Sequence, residues 1–219
     1  PADMVADEIS NPLLQSPRTD IDYIIITHEL FFDAVQDLKQ YREDKGHRVE
    51  VVKIQDIYDE FSSGIKDARA IKDFLTYAYN NWNSTGHPTY VLLVGDASID
   101  YRDDIGNFSK GNIDFVPTYL IQTFTLGDTP SDNWFVCVNG TDLLPDMFMG
   151  RMCVKTVTDV NSIVNKIKAY EQGTAGTWTK KVILASDNDT AFVQASDDLI
   201  KLLPANYSAE KVYLTDYAN

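Results

Sequence analysis

Short apolar runs alternate with amphipathic stretches along most of the chain. The segments 22–28 and 90–96 each contain a continuous apolar run bounded by polar residues, which is typical of strands covered on both faces of a parallel sheet. Apolar side chains recur every three to four residues over 31–41 and again over 67–82, which predicts two helices. The run 48–54 alternates and predicts a further strand. This succession predicts right-handed crossovers and an α/β fold with a mainly parallel sheet.

The pattern changes after the strand at 90–96. Residues 97–130 are rich in Gly, Asp, Asn and Thr, so we predict a long loop on the carboxyl edge of the sheet, where long loops are often functional. The runs 133–138 and 146–152 flank a turn sequence and predict a hairpin. The apolar residues within 57–61 predict only a short turn.

The last part of the chain predicts a break and a restart. A helix over 156–171 is followed by the Gly-rich segment 173–177, and then by a strand, a helix and a strand. We therefore predict three parts: a polar N-terminal arm at 1–20, a first α/β subdomain at 21–175, and the truncated opening of a second subdomain at 176–219. This third part is too small to bury a core alone, so we expect the chain to be a piece of a larger protein.

Charge and hydropathy restrict the possible partners. The 219 residues include 33 acidic and 19 basic side chains, giving a formal net charge of -14. This balance argues against nucleic acid as a partner, because phosphate contacts require clustered Lys and Arg. No apolar run approaches the roughly 20 residues that cross a bilayer, so no membrane span is expected.

Cys137 and Cys153 are the candidate catalytic thiols of the sequence. A thiol nucleophile needs a histidine within hydrogen-bonding distance. His28 follows a predicted strand, whereas His47 and His87 each precede one and belong to the opposite edge of the sheet. We therefore interpret Cys137 as a half-buried packing residue, and Cys153 likewise as structural.

Acidic residues suggest a cation site instead. Asp96 follows a buried strand, where α/β sheets place their ligands. The segment from Asn139 to Asp146 supplies closely spaced oxygen donors around Gly140, as calcium-binding loops do. The same sequence is also compatible with an ordinary hairpin turn. Asp100, Asp103 and Asp104 form a second acidic cluster, which is more typical of a solvated surface.

A set of ordered motifs resembles the gingipain-type cysteine peptidases of family C25. The resemblance extends from about Asp22 to the end of the chain and is carried by these segments: Tyr23-Ile-Ile-Ile-Thr-His28, Tyr41-Arg42 with Gly46, Asp56-Ile-Tyr-Asp-Glu-Phe-Ser62 with Gly64, Ala70-Ile-Lys-Asp-Phe74, Tyr90-Val-Leu-Leu-Val-Gly-Asp96, Leu144-Pro-Asp-Met-Phe-Met-Gly-Arg151 and Lys166-Ile-Lys-Ala-Tyr-Glu171.

The resemblance implies a caspase-like three-layer α/β sandwich with a mainly parallel sheet, made of the gingipain-type first subdomain and the start of the second. It implies a secreted or cell-surface bacterial endopeptidase whose catalytic His and Cys lie beyond this chain. The partners would be the remainder of the catalytic domain and a peptide or protein substrate. The motif Cys137-Val-Asn-Gly140 is similar to the segment around the family's nucleophile, but its position matches the first-subdomain hairpin. We therefore predict no catalytic residue here and no peptidase activity of the chain alone.

The resemblance also implies a structural Ca²⁺ that joins the end of one strand to the hairpin. The matching residues are Asp96, Asp142 and Asp146 as carboxylates, with Asn139 and Leu144 as carbonyl donors. The family has Glu where Asp146 stands, so a water would complete the coordination. Two alternatives remain open: a calcium-stabilised binding or adhesion module without enzymatic activity, and a flavodoxin-like or receiver-like domain. The missing phosphate-binding Gly-rich loop argues against the second.

Overall fold

The computed structural model describes residues 13–106, 109, 111, 113–174 and 176–217. Most of the predicted N-terminal arm, residues 1–12, lies outside the described residues. The helices and strands are, in chain order, β1 (Tyr23–Thr27), α1 (Gln36–Asp44), β2 (Val49–Lys53), α2 (Ile54–Ser62), α3 (Ala68–Asn81), β3 (Tyr90–Val94), β4 (Leu120–Thr123), β5 (Gly127–Pro130), β6 (Phe148–Met152), α4 (Val157–Gln172), β7 (Lys181–Ser186), α5 (Thr190–Lys201) and β8 (Ser208–Tyr213).

Four of the strands form a parallel sheet in the order β2-β1-β3-β6. Successive side chains of a strand point to opposite faces, and β1 is apolar on both. Ile24 and Ile26 pack with residues of α2 and α3, whereas Ile25 packs with residues of α1 and α4. The sheet is therefore covered on both faces, and the architecture is the predicted three-layer α/β sandwich.

The chain divides into two compact units, Pro1–Ala169 and Tyr170–Asn219. The division falls inside α4, whereas the sequence predicts a boundary after residue 175. In the second unit, β7 and β8 pair in parallel and are joined by α5. The Asp189 carboxylate caps α5 by accepting the Ala191 N–H. The described parts of both units contain no helix with the length and hydropathy needed to span a bilayer.

Three local predictions were wrong. The segment 57–61 belongs to helix α2, because Ile54, Ile57 and Tyr58 recur at helical spacing and are all buried. Residues 133–136 form a short 3₁₀ helix, and β6 pairs in parallel with β3, so the predicted hairpin between 133–138 and 146–152 does not form. The predicted loop over 97–130 contains an antiparallel hairpin, β4–β5.

The described end of the arm packs on the first unit. Leu14 is only 4% exposed and joins the core on the α2–α3 face of the sheet. The Leu14 N–H donates to the Glu60 carboxylate at 2.6 Å, and the Leu14 carbonyl accepts the indole N–H of Trp82 at 2.8 Å. This segment is therefore anchored at both its backbone and its side chain.

We predict that Leu14→Ala lowers the free energy of unfolding by about 2–4 kcal/mol, since it removes a buried side chain and leaves a cavity. Leu13→Ala is the matched control, because Leu13 is 44% exposed and its loss should change stability by less than about 0.5 kcal/mol. Urea unfolding of the two variants measures the difference. Equal effects would show that the arm does not contribute to the core.

Candidate functional site

The carboxyl edge of the sheet gathers the polar residues that follow its strands. His28 comes directly after β1, Gly95 and Asp96 follow β3, and Cys153 follows β6. Backbone hydrogen bonds extend this alignment past the strands, from the Gly95 N–H to the Met152 carbonyl and from the Asp96 N–H to the Val154 carbonyl, each 3.0 Å. In parallel α/β folds this edge is where ligand sites form.

The guanidinium of Arg151 organises this edge. Its side chain is 8% exposed, and Nε and Nη2 donate to the two carboxylate oxygens of Asp132 at 2.7 and 2.8 Å. Nη1 donates to the carbonyls of Gly95 and Val116 at 2.8 and 2.6 Å, and Nη2 also reaches the Pro117 carbonyl at 3.1 Å. A guanidinium has five N–H donors in a fixed fork, so this arrangement uses all of them. One side chain thus joins β6, the end of β3 and the chain entering β4.

Gly95 allows the loop to pass close to the end of β3. Its φ of +143° is a backbone conformation that L side chains rarely adopt. A Cβ at this position would lie 2.7 Å from the Cβ of Phe115 and 3.1 Å from a methyl group of Val116. Glycine is therefore required for both conformation and space, and its carbonyl accepts from Arg151.

A second ion pair anchors the loop that follows Asp96. The Asp114 side chain has no exposed surface and lies 2.9 Å from the Lys66 ammonium, which also donates to the Asp114 carbonyl at 2.8 Å. The Ser98 N–H donates to the same carboxylate at 2.7 Å. Burial raises the pKa of Asp114 above its usual value, although the Ser98 and Lys66 contacts oppose the rise. The ion pair ties this loop to the connection between α2 and α3.

His28 is a packing residue rather than a base. Its Nδ1 accepts the Leu30 N–H at 3.1 Å and caps a short 3₁₀ helix, so the neutral ring carries its proton on Nε2. The ring lies edge-on to Phe115 at a centroid distance of 5.2 Å. Burial, and then the charge of Lys66, lower the pKa of His28, which keeps the ring neutral at pH 7. His28 and Cys153 follow strands that are two positions apart in the sheet, so their backbones are roughly 10 Å apart, and the His28 ring is held by the Leu30 N–H and by Phe115.

A cleft of about 250 Å³ opens beside this edge. Its apolar walls come from Ile99, Leu120 and Pro130, and its polar walls include Asp96 and Cys153. The Asp96 carboxylate lies 3.4 Å from the half-exposed ammonium of Lys155, a contact that solvent screens. The cleft therefore combines apolar walls with one carboxylate, that of Asp96, in a solvent-screened ion pair and one accessible thiol, that of Cys153.

The structure does not bring the five predicted calcium ligands together. Asp96 lies beyond the carboxyl end of β3, whereas Asp146 precedes the amino end of β6. Because these strands are parallel, with Tyr90 opposite Phe148, the two carboxylates are separated by the whole length of the strand pair, roughly 25 Å. Asp96 therefore cannot share an ion with the loop.

The other four predicted ligands share one loop. The Asp146 carboxylate accepts the N–H groups of Val138 and Asn139, both at 2.8 Å, and the Asp142 carboxylate accepts the Leu144 N–H at 3.0 Å. These contacts close the loop through backbone N–H groups. In the part of the chain that the structure describes, no three His, Cys, Asp or Glu side chains form a group that could hold a metal.

Sequence reasoning missed the residues that shape this edge, namely Arg151, Asp132 and Asp114. For Arg151 one sequence signal was present. Arg151 lies between Gly and Met residues in a strand-like run, and a charged residue in a covered strand requires a buried partner. The identity of that partner depends on the fold.

A comparison with protein families decides the relationship. The family model described as Peptidase family C25 matches residues 16–219. The chain belongs to Peptidase family C25. This confirms the resemblance drawn from the motifs.

Solved structures similar to this C25 chain share its fold. The complex of the pro- and mature domains of RgpB from Porphyromonas gingivalis has a TM-score of 0.62 and 20% identity, covering 87% of this chain and 41% of that one. Dimeric latent PorU from the same organism has a TM-score of 0.54 and 24% identity, covering 69% and 16%. The fold is thus the caspase-like α/β fold of the gingipain-type structures.

A protein of Archaeoglobus fulgidus described as uncharacterized is 21% identical over 205 residues, which cover 89% of this chain and 42% of that protein. The C25 chain therefore spans less than half the length of each of these relatives.

We predict that Arg151→Ala lowers the free energy of unfolding by about 3 kcal/mol, because it leaves the Asp132 carboxylate without its cation and three carbonyls without the guanidinium donor. Arg69→Ala is the matched control: Arg69 also donates to both carboxylate oxygens of an aspartate, Asp67, but its side chain is 68% exposed. Its loss should change stability far less. Equal losses of unfolding free energy for the two variants would contradict the role of Arg151 in holding the carboxyl edge together.

Stability should depend on pH through Asp114. Because the folded-state pKa is raised, the folded protein holds this proton more tightly than the unfolded chain does. The Asp114 contribution is therefore present below the ordinary value near 4 and is lost as pH rises through the folded-state pKa. Urea unfolding between pH 4 and 7 should show that loss in the wild type and a smaller one in Asp114→Asn.

Asp67 provides a control of opposite sign. The hydrogen bond from Arg69 lowers the pKa of Asp67, so its contribution is lost as pH falls. Asp67→Asn should weaken the decline in stability toward acid pH and leave the Asp114 effect unchanged. The same pH slope in wild type and Asp114→Asn would contradict the assignment.

Proposed function

We propose that this chain is the scaffold portion of a C25 cysteine endopeptidase and does not itself contain the catalytic Cys/His pair. The complete protein would cleave peptide bonds by thiolate attack, with a histidine as general base. Family membership supports a peptidase-related domain, and the chain spans less than half the length of its relatives. The substrates, the remainder of the catalytic domain as partner, and an extracellular or cell-surface location all belong to this proposal.

The surroundings of Cys137 carry the proposal. Its thiol lies 3.3 Å from the Asn133 carbonyl, to which it can donate. Burial raises the pKa of the Cys137 thiol, the charge of Lys72 lowers it, and Asp146 and Asp142 raise it; the net shift is upward, so at neutral pH the group is a protonated thiol. A catalytic cysteine needs the opposite net shift, with a cation or histidine close enough to favour the thiolate.

The contribution of the chain to the enzyme would be structural. The hydrogen bonds of Arg151 hold the carboxyl edge of the sheet together. The cleft beside this edge would form one wall of a substrate site. Ile99, Leu120 and Pro130 would contact apolar parts of a substrate, with Asp96 available to a polar group.

We expect no hydrolysis when the chain is incubated with a fluorogenic peptide library that covers all residues at the cleaved position. Alkylation by iodoacetamide, followed by mass spectrometry from pH 6 to 10, should label Cys137 only at alkaline pH, because the thiolate is the nucleophile. Cys137→Ala is the control for labelling. Hydrolysis that is abolished by Cys137→Ala, or rapid labelling of Cys137 at pH 6, would contradict the proposal.

Calcium remains part of the proposal in a narrower form, with the loop from Asn139 to Asp146 as the binding element. Asp142 and Asp146 would provide carboxylates and the Asn139 and Leu144 carbonyls would provide further oxygens, which are the donors that Ca²⁺ prefers. Each carboxylate has acceptor capacity beyond its present hydrogen bonds. Asp96 is not included.

We expect EDTA to lower the melting temperature, and Asp142→Ala to remove most of that sensitivity, because binding stabilises only the folded state. Asp96→Ala is the control and should keep the full response, since Asp96 lies beyond the carboxyl end of β3 whereas the loop precedes the amino end of β6. Differential scanning calorimetry measures each case. An unchanged melting curve in EDTA would exclude the calcium site, and selective loss in Asp96→Ala would restore the five-residue site.

A further inference from the structure

The loop between the 3₁₀ helix at 133–136 and strand β6 contains the sequence Asn139-Gly140. Both residues are exposed, and Gly140 has a φ of +79°, a conformation that glycine adopts without strain. An added Cβ at Gly140 would meet nothing within 4 Å, so the space beside its backbone is open. The peptide group that joins the two residues is therefore accessible to water.

Neither reactive group of this pair is held in place. An asparagine loses its side-chain amide when the following backbone nitrogen attacks its Cγ, so both the amide and that nitrogen must be able to move. Within the described residues, the Asn139 side-chain amide and the Gly140 N–H make no hydrogen bond. The Asn139 N–H does donate to the Asp146 carboxylate at 2.8 Å, but this bond lies on the far side of the residue from the reacting atoms.

Three comparable asparagines in the chain are restrained, and Asn83 is restrained at its amide. Asn83 precedes the small residue Ser84 and is half-buried. Its Oδ1 accepts the Ile21 N–H at 2.9 Å, and its Nδ2 donates to the Ile21 carbonyl at 2.8 Å. Turning this amide toward the nitrogen of Ser84 would break both hydrogen bonds.

The other two asparagines are restrained at the attacking nitrogen. The N–H that follows Asn188 donates to the Asp187 carboxylate, and the N–H that follows Asn206 donates to the Pro204 carbonyl, each at 2.9 Å. Both asparagines are exposed, so exposure alone does not distinguish them from Asn139. What distinguishes Asn139 is that its amide and the next nitrogen are both without a hydrogen bond among the residues that the structure describes.

We propose that Asn139 is a site of spontaneous modification, at which the side-chain amide is exchanged for a carboxylate. The Gly140 nitrogen gives its proton to hydroxide and bonds to Cγ of Asn139. The bond from Cγ to Nδ2 then breaks, and this nitrogen leaves as ammonia. A water molecule opens the resulting five-membered succinimide at either of its two carbonyls, which leaves an aspartyl or an isoaspartyl residue at position 139. Water is the only reactant consumed.

The product changes the charge of the loop. A further carboxylate joins those of Asp142 and Asp146, which already accept backbone N–H groups of the same loop. Like charges repel, so the segment 140–145 is expected to open. The isoaspartyl product also lengthens the backbone by one methylene group. Because the loss of ammonia is irreversible, the modified fraction increases with the age of the protein. The inference rests on neither the peptidase function nor the calcium site.

Peptide mapping by mass spectrometry tests the proposal on the full chain. The chain is incubated at pH 7.4 and 37 °C with EDTA, and each modification adds about 1 Da. Synthetic peptides covering 136–144 and 82–88 provide the unrestrained rates. We expect Asn139 to react in the folded chain within about threefold of its peptide rate, and Asn83 at least about tenfold more slowly than in its peptide, because only Asn83 must first break two hydrogen bonds. The rate at Asn139 should rise with pH, since the attacking nitrogen must lose its proton.

Variants of the chain locate the reaction. Gly140→Ala should slow it by about tenfold, because a side chain disfavours the positive φ and hinders closure of the ring. Gly127→Ala is the matched control, since Gly127 also has a positive φ, +67°, but lies in the β4–β5 hairpin. It should leave the rate at Asn139 unchanged. Asn139→Gln keeps an amide but requires a six-membered ring, so position 139 should remain unmodified over the same period.

Three results would overturn the proposal. The first is a rate at Asn139 that folding reduces as strongly as the rate at Asn83. The second is an equal rate in the wild type and in Gly140→Ala. The third is a mass gain at position 139 that proceeds at the wild-type rate in Asn139→Gln. Two product peptides of equal mass that separate by chromatography would support the succinimide route, and a single aspartyl product would contradict it.

Discussion

The carboxyl edge of the first unit depends on one charged side chain that has been removed from water. A buried guanidinium is stable only if its donors find acceptors, and Arg151 finds them in Asp132 and in three carbonyls from two further segments. The requirement acts in both directions. The Arg151 side chain could not be buried unless Gly95 and the residues after it passed close to β6, and that close passage is possible because position 95 has no side chain. The electrostatics and the steric constraint therefore specify the same local fold.

The parts of the fold that could be predicted are those determined by local pattern. Strands β1 and β3 and helix α3 follow from runs that bury a recognisable face in any context. Residues 133–136 and strand β6 were predicted incorrectly as a hairpin, because both runs are short and flank a turn sequence but their partners are distant. Phe135 packs into the core and β6 pairs with β3, more than fifty residues away in sequence. Short apolar segments contain too little information to choose between a neighbour and a remote strand.

The candidate site was predictable in position but not in composition. The rule that parallel strands present ligands at their carboxyl ends correctly directed attention to Asp96. The prediction that Asp142 and Asp146 share a cation with Asp96 was wrong. A motif match gives the order of residues along the chain and does not say at which end of a strand they lie. The ion pair between Asp114 and Lys66 could not be foreseen either, since 48 residues separate the two and no local pattern links them.

The β4–β5 hairpin is held in an unusual way. The same guanidinium contacts the chain just before the hairpin, at the Pro117 carbonyl, and just after it, at Asp132. The Thr118 hydroxyl also donates to Asp132, and the Ser131 N–H donates to the Tyr119 carbonyl. The two ends of the hairpin are thus fixed independently of what lies between them. Because the entropy of closing a loop rises slowly with its length, this segment can be lengthened, shortened or replaced by a foreign sequence at little cost to the sheet, and the position is suited to diversification among family members and to loop grafting.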